Sequence, residues 1–159
     1  MTNYAQAQGT TLTWRDAGGD YDLTFNSMAD GDGRQGEEVD LGANFSHRYA
    51  IEVRINPNVA PTAGELFKVF WSHSSDGTNY QAECTGSDAA FNDEEHAQRL
   101  TLVGVIYATN DTDPQQDAWV FFPFTRYGAP VVMNSLGQAL DNASGHWLRL
   151  TPLEDNDQG

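Results

Sequence analysis

Aromatic side chains around a polar loop are the first feature of this chain suited to binding chemistry. The segment WSHSSDGTNYQ (71–81) begins with Trp71 and carries Tyr80 after a run of small polar residues, and Trp119 follows in a later aromatic segment. Exposed aromatic rings bind ligands through a flat apolar face with a polar rim. Trp71, Tyr80 and Trp119 are therefore the candidate ligand-binding residues, with a carbohydrate as the ligand.

The same segment supports a purely structural interpretation. The Asp76–Gly77 pair favours the tight turn of a β-hairpin, since such turns need residues that tolerate positive φ. Trp71 is also in phase with Phe67 and Val69, two apolar residues at alternate positions. The spacing thus predicts a hairpin tip, with Trp71 pointing into a core.

Two acidic loops raise the question of calcium. The loop at 30–40 fails the EF-hand pattern because Gln35 stands where glycine is needed and Leu41 where the final glutamate is needed. The loop at 110–117 offers a looser set of oxygen ligands, and solvated carboxylates are the simpler interpretation of it. Its acidic residues are Asp111, Asp113 and Asp117. We predict no metal site and no cofactor.

Catalytic patterns are missing from the sequence. It has no G-x-S-x-G nucleophile turn and no glycine-rich phosphate loop, and Cys84 is its single cysteine, which excludes an internal disulfide. The four histidines do not occur at metal-ligand spacing; they are His47, His73, His96 and His146. With 23 acidic residues, no particular carboxylate pair stands out as a glycosidase pair. We predict no catalytic residues and no enzymatic activity.

The negative net charge of the chain argues against two classes of partner, nucleic acids and anionic membranes. The chain has 159 residues, with 8 Lys and Arg against 23 Asp and Glu and a net charge of −15. Such a surface repels nucleic-acid phosphates and anionic membranes, so we expect neither as a partner. The N-terminus lacks the basic and apolar regions of a secretory signal, which predicts synthesis in the cytoplasm without signal-peptide secretion.

Two-residue alternation defines the elements that must position these residues. The clearest strand is HRYAIEVRI (47–55), and ELFKVFWS (65–72) is apolar on both faces. Gly104 predicts a bulge or close approach within its strand, and Pro123 predicts an edge strand or strand end. The other predicted strands span 99–108, 118–124, 129–134 and 146–152, with weaker ones at 10–14 and 21–25.

These elements predict an all-β fold. About eight strands separated by turns are typical of an antiparallel β-sandwich or jelly roll, with at most one short helix, at Asp93–Gln98. We predict an N-terminal arm at 1–9, a single sandwich domain at 10–153 and an acidic tail at 154–159.

The aromatic segment FFPFTRYGAPVV (121–132) has two interpretations. Its rings can fill the sandwich, or Phe124, Arg126 and Tyr127 can be exposed at an edge as an intersubunit anchor, because tyrosine, phenylalanine and arginine are enriched at interface centres. Together with Tyr4 in the polar arm, these residues are the interface candidates.

Several segments resemble a known family in their order and turns. They are NPNVAPTAGELFKVFWSHSSDGTNYQAE, RLTLVGVIYATNDTDPQQ, FPFTRYGAPVVMNSLGQAL and HWLRLTPLED. Over residues 45–155 the chain is similar to the capsid-decoration (cement) proteins of tailed bacteriophages. The resemblance implies a β-sandwich or jelly roll that docks on the outside of an icosahedral shell, often as a trimer, without an active site.

Three hypotheses follow. The preferred one is a virion structural protein on the capsid exterior that bridges subunits of the major capsid protein, with a homotrimer as its own assembly state. The alternative is a carbohydrate-binding β-sandwich module of a phage host-recognition apparatus, in the tail or a fibre. The third is a hydrolase on a jelly-roll scaffold, which needs a carboxylate pair whose environments separate their pKa values.

Overall fold

The computed structural model describes residues 4–91, 94–143 and 145–157, and these are almost entirely β-structure. The strands are β1 (Tyr4–Gln8), β2 (Leu12–Arg15), β3 (Tyr21–Asp22), β4 (Gly33–Gln35), β5 (Val39–Asp40), β6 (Arg48–Ile55), β7 (Leu66–Ser74), β8 (Ala89–Ala90), β9 (Thr101–Tyr107), β10 (Gln115–Phe121), β11 (Tyr127–Ser135) and β12 (Trp147–Asp157). One helical turn, α1 (Glu94–Ala97), and a 3₁₀ turn (Gln81–Glu83) complete the described elements. Within these ranges, no helix has the length and apolar character needed to cross a membrane.

The strands form two six-stranded sheets. In the first sheet the order is β10-β6-β12-β2-β3, with β1 also paired to β12; in the second it is β8-β4-β11-β7-β9, with β5 also paired to β11. The pairs are antiparallel except β2 with β3. The predicted β-sandwich is confirmed, and the strands beyond the eight expected are mostly very short.

The core lies between the two sheets and follows the predicted alternation. In β6 every second residue is buried, and in β7 Phe67, Val69 and Trp71 are fully inaccessible to solvent. Trp14 of β2 and Phe25, in the segment after β3, meet them from the first sheet's side. Side chains alternate between the two faces of a strand, so the sequence period alone identifies this core.

A second apolar cluster covers the outer face of the second sheet. Phe70 points away from the main core and packs with Val131 and Met133 of β11, under Phe91 and Leu100 from the segment between β7 and β9. The prediction that β7 is covered on both faces is confirmed. The short α1 lies within this covering segment, where a helix was predicted at Asp93–Gln98.

The segment 71–81 is not a hairpin tip. β7 pairs with β11 and β9, and the chain after Ser74 leads into the 3₁₀ turn instead of returning alongside β7. A tight turn does form, because the Asp76 carboxylate accepts the backbone N–H groups of Thr78 and Asn79 at 2.9 and 2.8 Å. Gly77 has φ +71°. The local turn preference was correct, but the strand pairing it implied was wrong.

The two ends of the chain extend the first sheet. Residues 4–8, predicted within a polar arm, pair antiparallel with residues 153–157, from Tyr4 opposite Asp157 to Gln8 opposite Leu153. Strand pairing uses backbone groups, which every non-proline residue carries. Polar residues without alternation therefore join the sheet with no hydrophobic pattern to predict them.

The edge features predicted for β9 and β10 are confirmed. The β7–β9 register shifts between Val69 and Phe70, so that β9 is irregular beside Gly104. A Cβ at Gly104 would lie 2.1 Å from Trp119 ring atoms, which shows how closely the indole approaches the backbone there. β10 stands at the edge of its sheet and ends at Phe121, before Pro123.

Candidate functional site

Four large apolar side chains are exposed where β9 begins and β10 ends. Leu102 is 56 % exposed, Val120 56 %, Phe122 61 % and Phe124 65 %. We call these four residues the apolar edge. Leu102 pairs with Phe70 on the outer face of the second sheet, and Val120 pairs with Ala50 on the outer face of the first, so the apolar edge runs around the side of the sandwich. Several exposed apolar residues at one edge indicate a contact surface more strongly than a single one does.

Ring packing places these residues at one end of the sandwich. Phe121, the last residue of β10, packs against Trp71 with ring centroids 5.2 Å apart. The β9 partner of Trp71 is Thr101, so the end of β10 lies beside the beginning of β9. Leu102 and Phe122 follow directly from these two neighbours.

The apolar edge also lies beside two open sheet edges. β9 is the last strand of the second sheet and β10 the last strand of the first. An edge strand presents unpaired backbone groups that another protein can use. This side of the molecule therefore combines exposed apolar side chains with main-chain hydrogen-bonding capacity.

The ring of Phe124 packs against a buried histidine. The rings of His73 and Phe124 stack with centroids 3.6 Å apart. The Thr125 hydroxyl donates to the Tyr127 carbonyl at 2.9 Å, so its oxygen accepts from Nδ1–H of His73 at 3.0 Å. Nε2 of His73 is buried without a partner among the described residues. Burial lowers the pKa of His73 to about 4, which keeps this ring neutral at neutral pH.

The other predicted interface residues are held by neighbours. Arg126 donates to both carboxylate oxygens of Asp40, with Nε 2.6 Å from Oδ1, and its guanidinium lies 4.9 Å from the Tyr127 ring centre. The hydrogen bond from Arg126 lowers the pKa of Asp40 to about 2. Arg126 and Tyr127 thus lie close to Phe124 along the chain, and the side chain of Tyr4 lies outside the described part of the structure.

Two of the three aromatic residues predicted to bind a ligand are buried. Trp71 is 0 % exposed and Tyr80 is 9 % exposed, which is a correction to the carbohydrate-binding set. The Tyr80 hydroxyl donates to a Glu38 carboxylate oxygen, and burial together with this bond raises the pKa of Tyr80. Trp119 is half-buried over Gly104. The phase of Trp71 within its strand had already indicated the core.

The carboxylates of the acidic loop at 110–117 accept hydrogen bonds from residues close to them in the chain. Asp111 accepts from the Thr109 hydroxyl at 3.0 Å and from the backbone of Asp113 at 3.1 Å, and Asp117 accepts from the backbone of Ala118 at 2.8 Å. Among the described residues, no three histidine, cysteine, aspartate or glutamate side chains are placed to hold a metal ion.

Cys84 and His146 also occupy structural positions. Cys84 is buried, and burial raises the pKa of its thiol, which disfavours the reactive thiolate. His146 accepts from the backbone of Asn56 at 3.1 Å through Nδ1, and its Nε2 lies 2.8 Å from an Asp141 carboxylate oxygen. These contacts join the β6 end to the loop before β12.

One group of residues was not predicted from the sequence at all. Arg15, Arg54 and Arg149 line a single cavity together with Trp147. These residues come from β2, β6 and β12, which are far apart in the chain. Only the strand order brings them together, so no local spacing indicates them.

No protein-family model matches the chain, and no curated protein matches it either.

Proposed function

We propose that this protein is a virion structural protein that attaches to the outside of a tailed-phage capsid and bridges neighbouring capsid subunits. The apolar edge is the observation that carries the proposal, because its four side chains are each more than half exposed at one end of the molecule. The resemblance of residues 45–155 to capsid-decoration proteins is the reason for proposing a capsid as the partner.

Burial of the apolar edge supplies the attraction. Complete burial of one such side chain is worth about 1.5–3 kcal/mol, and these side chains are already partly covered. About 1 kcal/mol each gives roughly 4 kcal/mol for a contact that wraps around the edge and covers all four, before the cost of association. A contact of this strength is weak alone and effective when several copies bind together. We therefore propose a homotrimer that presents three apolar edges to the shell.

The surface charge favours a specific partner over indiscriminate association. A net charge of −15 opposes non-specific association in solution. It also requires the capsid surface to offer an apolar groove with neutral or basic surroundings. We propose that this groove lies where major capsid protein subunits meet.

The test is co-sedimentation with capsids of the phage whose genome encodes the protein, prepared without it. The wild type is expected to bind saturably, and Phe122→Asp is expected to bind at least about tenfold more weakly, since a charge would be buried in the contact. Val59→Asp is the matched control, because Val59 is 51 % exposed in a loop outside the apolar edge.

Two outcomes would contradict the proposal. Wild-type protein that never sediments with capsids excludes attachment, and equal binding of Phe122→Asp excludes the apolar edge as the contact. Light scattering on the free protein tests the homotrimer separately. A protein that is monomeric at all concentrations would contradict the homotrimer.

A further inference from the structure

The arginine-lined cavity lies on the outer face of the first sheet. Arg54 of β6 stands directly opposite Trp147 of β12 in the strand register, and Arg149 follows two residues later on the same face. Arg15 extends to the cavity from the end of β2. The loops that contain Asp16, Asn26 and His146 close one end, and the cavity measures about 390 Å³.

These three arginines differ from the ion-paired arginines elsewhere in the structure. Arg34 is paired with Asp88 at 2.8 Å and Arg126 with Asp40 at 2.5 Å. By contrast, Arg15, Arg54 and Arg149 have no carboxylate within 4.0 Å in the described part of the chain. The lining holds these three arginines and one carboxylate, that of Asp16, so the cavity is positively charged in a chain with 23 acidic and 8 basic residues. An anionic ligand would balance this charge.

The arginines are also partly held in place. The Arg149 guanidinium lies 4.1 Å from the centre of the Trp147 ring, and Nη2 of Arg15 donates to the Gly18 carbonyl at 2.5 Å. A guanidinium that is already positioned loses less side-chain freedom when it binds a ligand. Its planar donors match the oxygens of a carboxylate or a phosphate.

The cavity wall also contains hydrogen-bond acceptors. Asn26 lines it, and Oδ1 of Asn26 is buried with no hydrogen-bond partner among the described residues. Asp16, beside it, accepts the backbone N–H groups of Phe25 and Asn26 at 2.9 Å each through Oδ1. Oδ1 of Asn26 is inaccessible from the cavity, whereas Oδ2 of Asp16 makes no hydrogen bond among the described residues and can accept from a hydroxyl group on a ligand.

We propose that this cavity binds a small hydroxylated oxyanion, that is, a sugar acid or a sugar phosphate. The three arginines hold the carboxylate or phosphate oxygens, Trp147 supplies an apolar wall for the ring, and Asp16 accepts from a hydroxyl. The volume lies within the range of small-molecule sites.

The site is separate from the apolar edge. In the first sheet Gln116 of β10 is level with Arg54, whereas Val120 is level with Ala50 at the other end. Arg54 is therefore about 13 Å along the strands from the level of Val120, and Arg149, opposite Glu52, is about 7 Å along them and two strands across the sheet. Binding here is therefore a second property, independent of attachment to a capsid.

The experiment is isothermal titration calorimetry at low ionic strength with four probes: glucuronate, glucose 6-phosphate, glucose and inorganic phosphate. We expect saturable binding of at least one of the first two, weaker binding of inorganic phosphate, and none of glucose. Glucuronate against glucose 6-phosphate distinguishes a carboxylate from a phosphate as the bound group. Glucose that binds as well as the acids would overturn the role of the arginines, and inorganic phosphate that binds as well as both would overturn the role of the hydroxyl groups.

Variants then test the residues. Arg54→Gln and Arg149→Gln should each weaken binding at least about tenfold, since each loses hydrogen bonds to a charged group. Arg99→Gln is the charge-matched control, because Arg99 is exposed after α1 on the side of the second sheet. Arg149 is exposed, so its variant tests the site even if Arg54→Gln does not fold. Absence of saturable binding by both acids, or unchanged binding in both variants, would overturn the proposal.

Discussion

Replacement of Gly128 by alanine tests the packing of Trp71 between the two sheets. Gly128 lies in β11, opposite His73 on one side and Val39 on the other. An added Cβ would be 2.1 Å from Nε1 of Trp71 and 2.5 Å from its Cε2. Both distances are far below van der Waals contact, so either the indole or the strand must move.

Neither can move easily. Trp71 is 0 % exposed and lies between Trp14, at 6.1 Å in an edge-on arrangement, and Phe121, at 5.2 Å. Overpacking of a filled core costs about 1–3 kcal/mol, and the clash with a rigid ring places Gly128→Ala at the upper end, about 3 kcal/mol. For a chain of this length that corresponds to a melting temperature lower by roughly 6–12 °C.

Urea unfolding followed by far-ultraviolet circular dichroism measures this loss. Gly42→Ala is the control, because no atom lies within 4 Å of its Cβ position and only its φ of +88° opposes the substitution, at about 1 kcal/mol. In the double variant with Trp71→Phe the clash is relieved, and Nε1 of Trp71 has no hydrogen bond to lose among the described residues. We expect a favourable coupling of at least about 1 kcal/mol. A Gly128→Ala protein as stable as the wild type would refute the packing of Trp71 on Gly128.

Two further predictions concern pH. Burial raises the pKa of Asp88, but hydrogen bonds from Arg34 and Thr24 outweigh this effect and leave the pKa below 3.8. The ionised carboxylate therefore stabilises the folded protein above pH 3.8. This stabilisation is lost as the pH falls through the lowered pKa. Asp88→Asn should cost about 2 kcal/mol at pH 7 and weaken the acid dependence below pH 4, and urea unfolding from pH 2 to 7 with an unchanged profile would contradict this. Burial holds the pKa of His73 at about 4 instead of 6.5, so the wild type should lose about 2 kcal/mol between pH 6.5 and 4 after allowance for solvent screening. His73→Phe should remove that loss, and an equal loss in both proteins would show that another group titrates.

The sandwich was predictable because its strands alternate clearly. The burial of every second residue in β6 follows directly from HRYAIEVRI. Gly104 and Pro123 each mark a local backbone requirement, namely a close approach and a strand end, and both outcomes follow from residue type alone. Features that depend on one residue or one strand are thus accessible from sequence.

Pairing between distant strands was not predictable in the same way. The Asp76–Gly77 turn favours a hairpin locally, yet β7 pairs with β9 and β11, and its two faces are buried by the main core and by the second apolar cluster. Tertiary burial outweighs the turn preference because several large side chains contribute, against a single turn. The arginine cavity depends on the order β6-β12-β2, which no periodicity encodes.

The strand register of the first sheet places the two proposed sites at different levels along the strands. Val120 and Ala50 are level with each other at one end, and Gln116, Arg54 and Trp147 are level at the other. A capsid surface that covers the apolar edge would therefore leave Arg54 about 13 Å away along the strands, with Arg149 two strands across the sheet from Val120. Such a particle would present the cavity to the surrounding solution once per attached copy. Weak binding of a hydroxylated oxyanion by one copy would then become strong for a surface that carries many such groups, because repeated contacts add through effective concentration. The acidic remainder of the molecule opposes general attraction of anions, so this binding would depend on the three arginines and disappear with them.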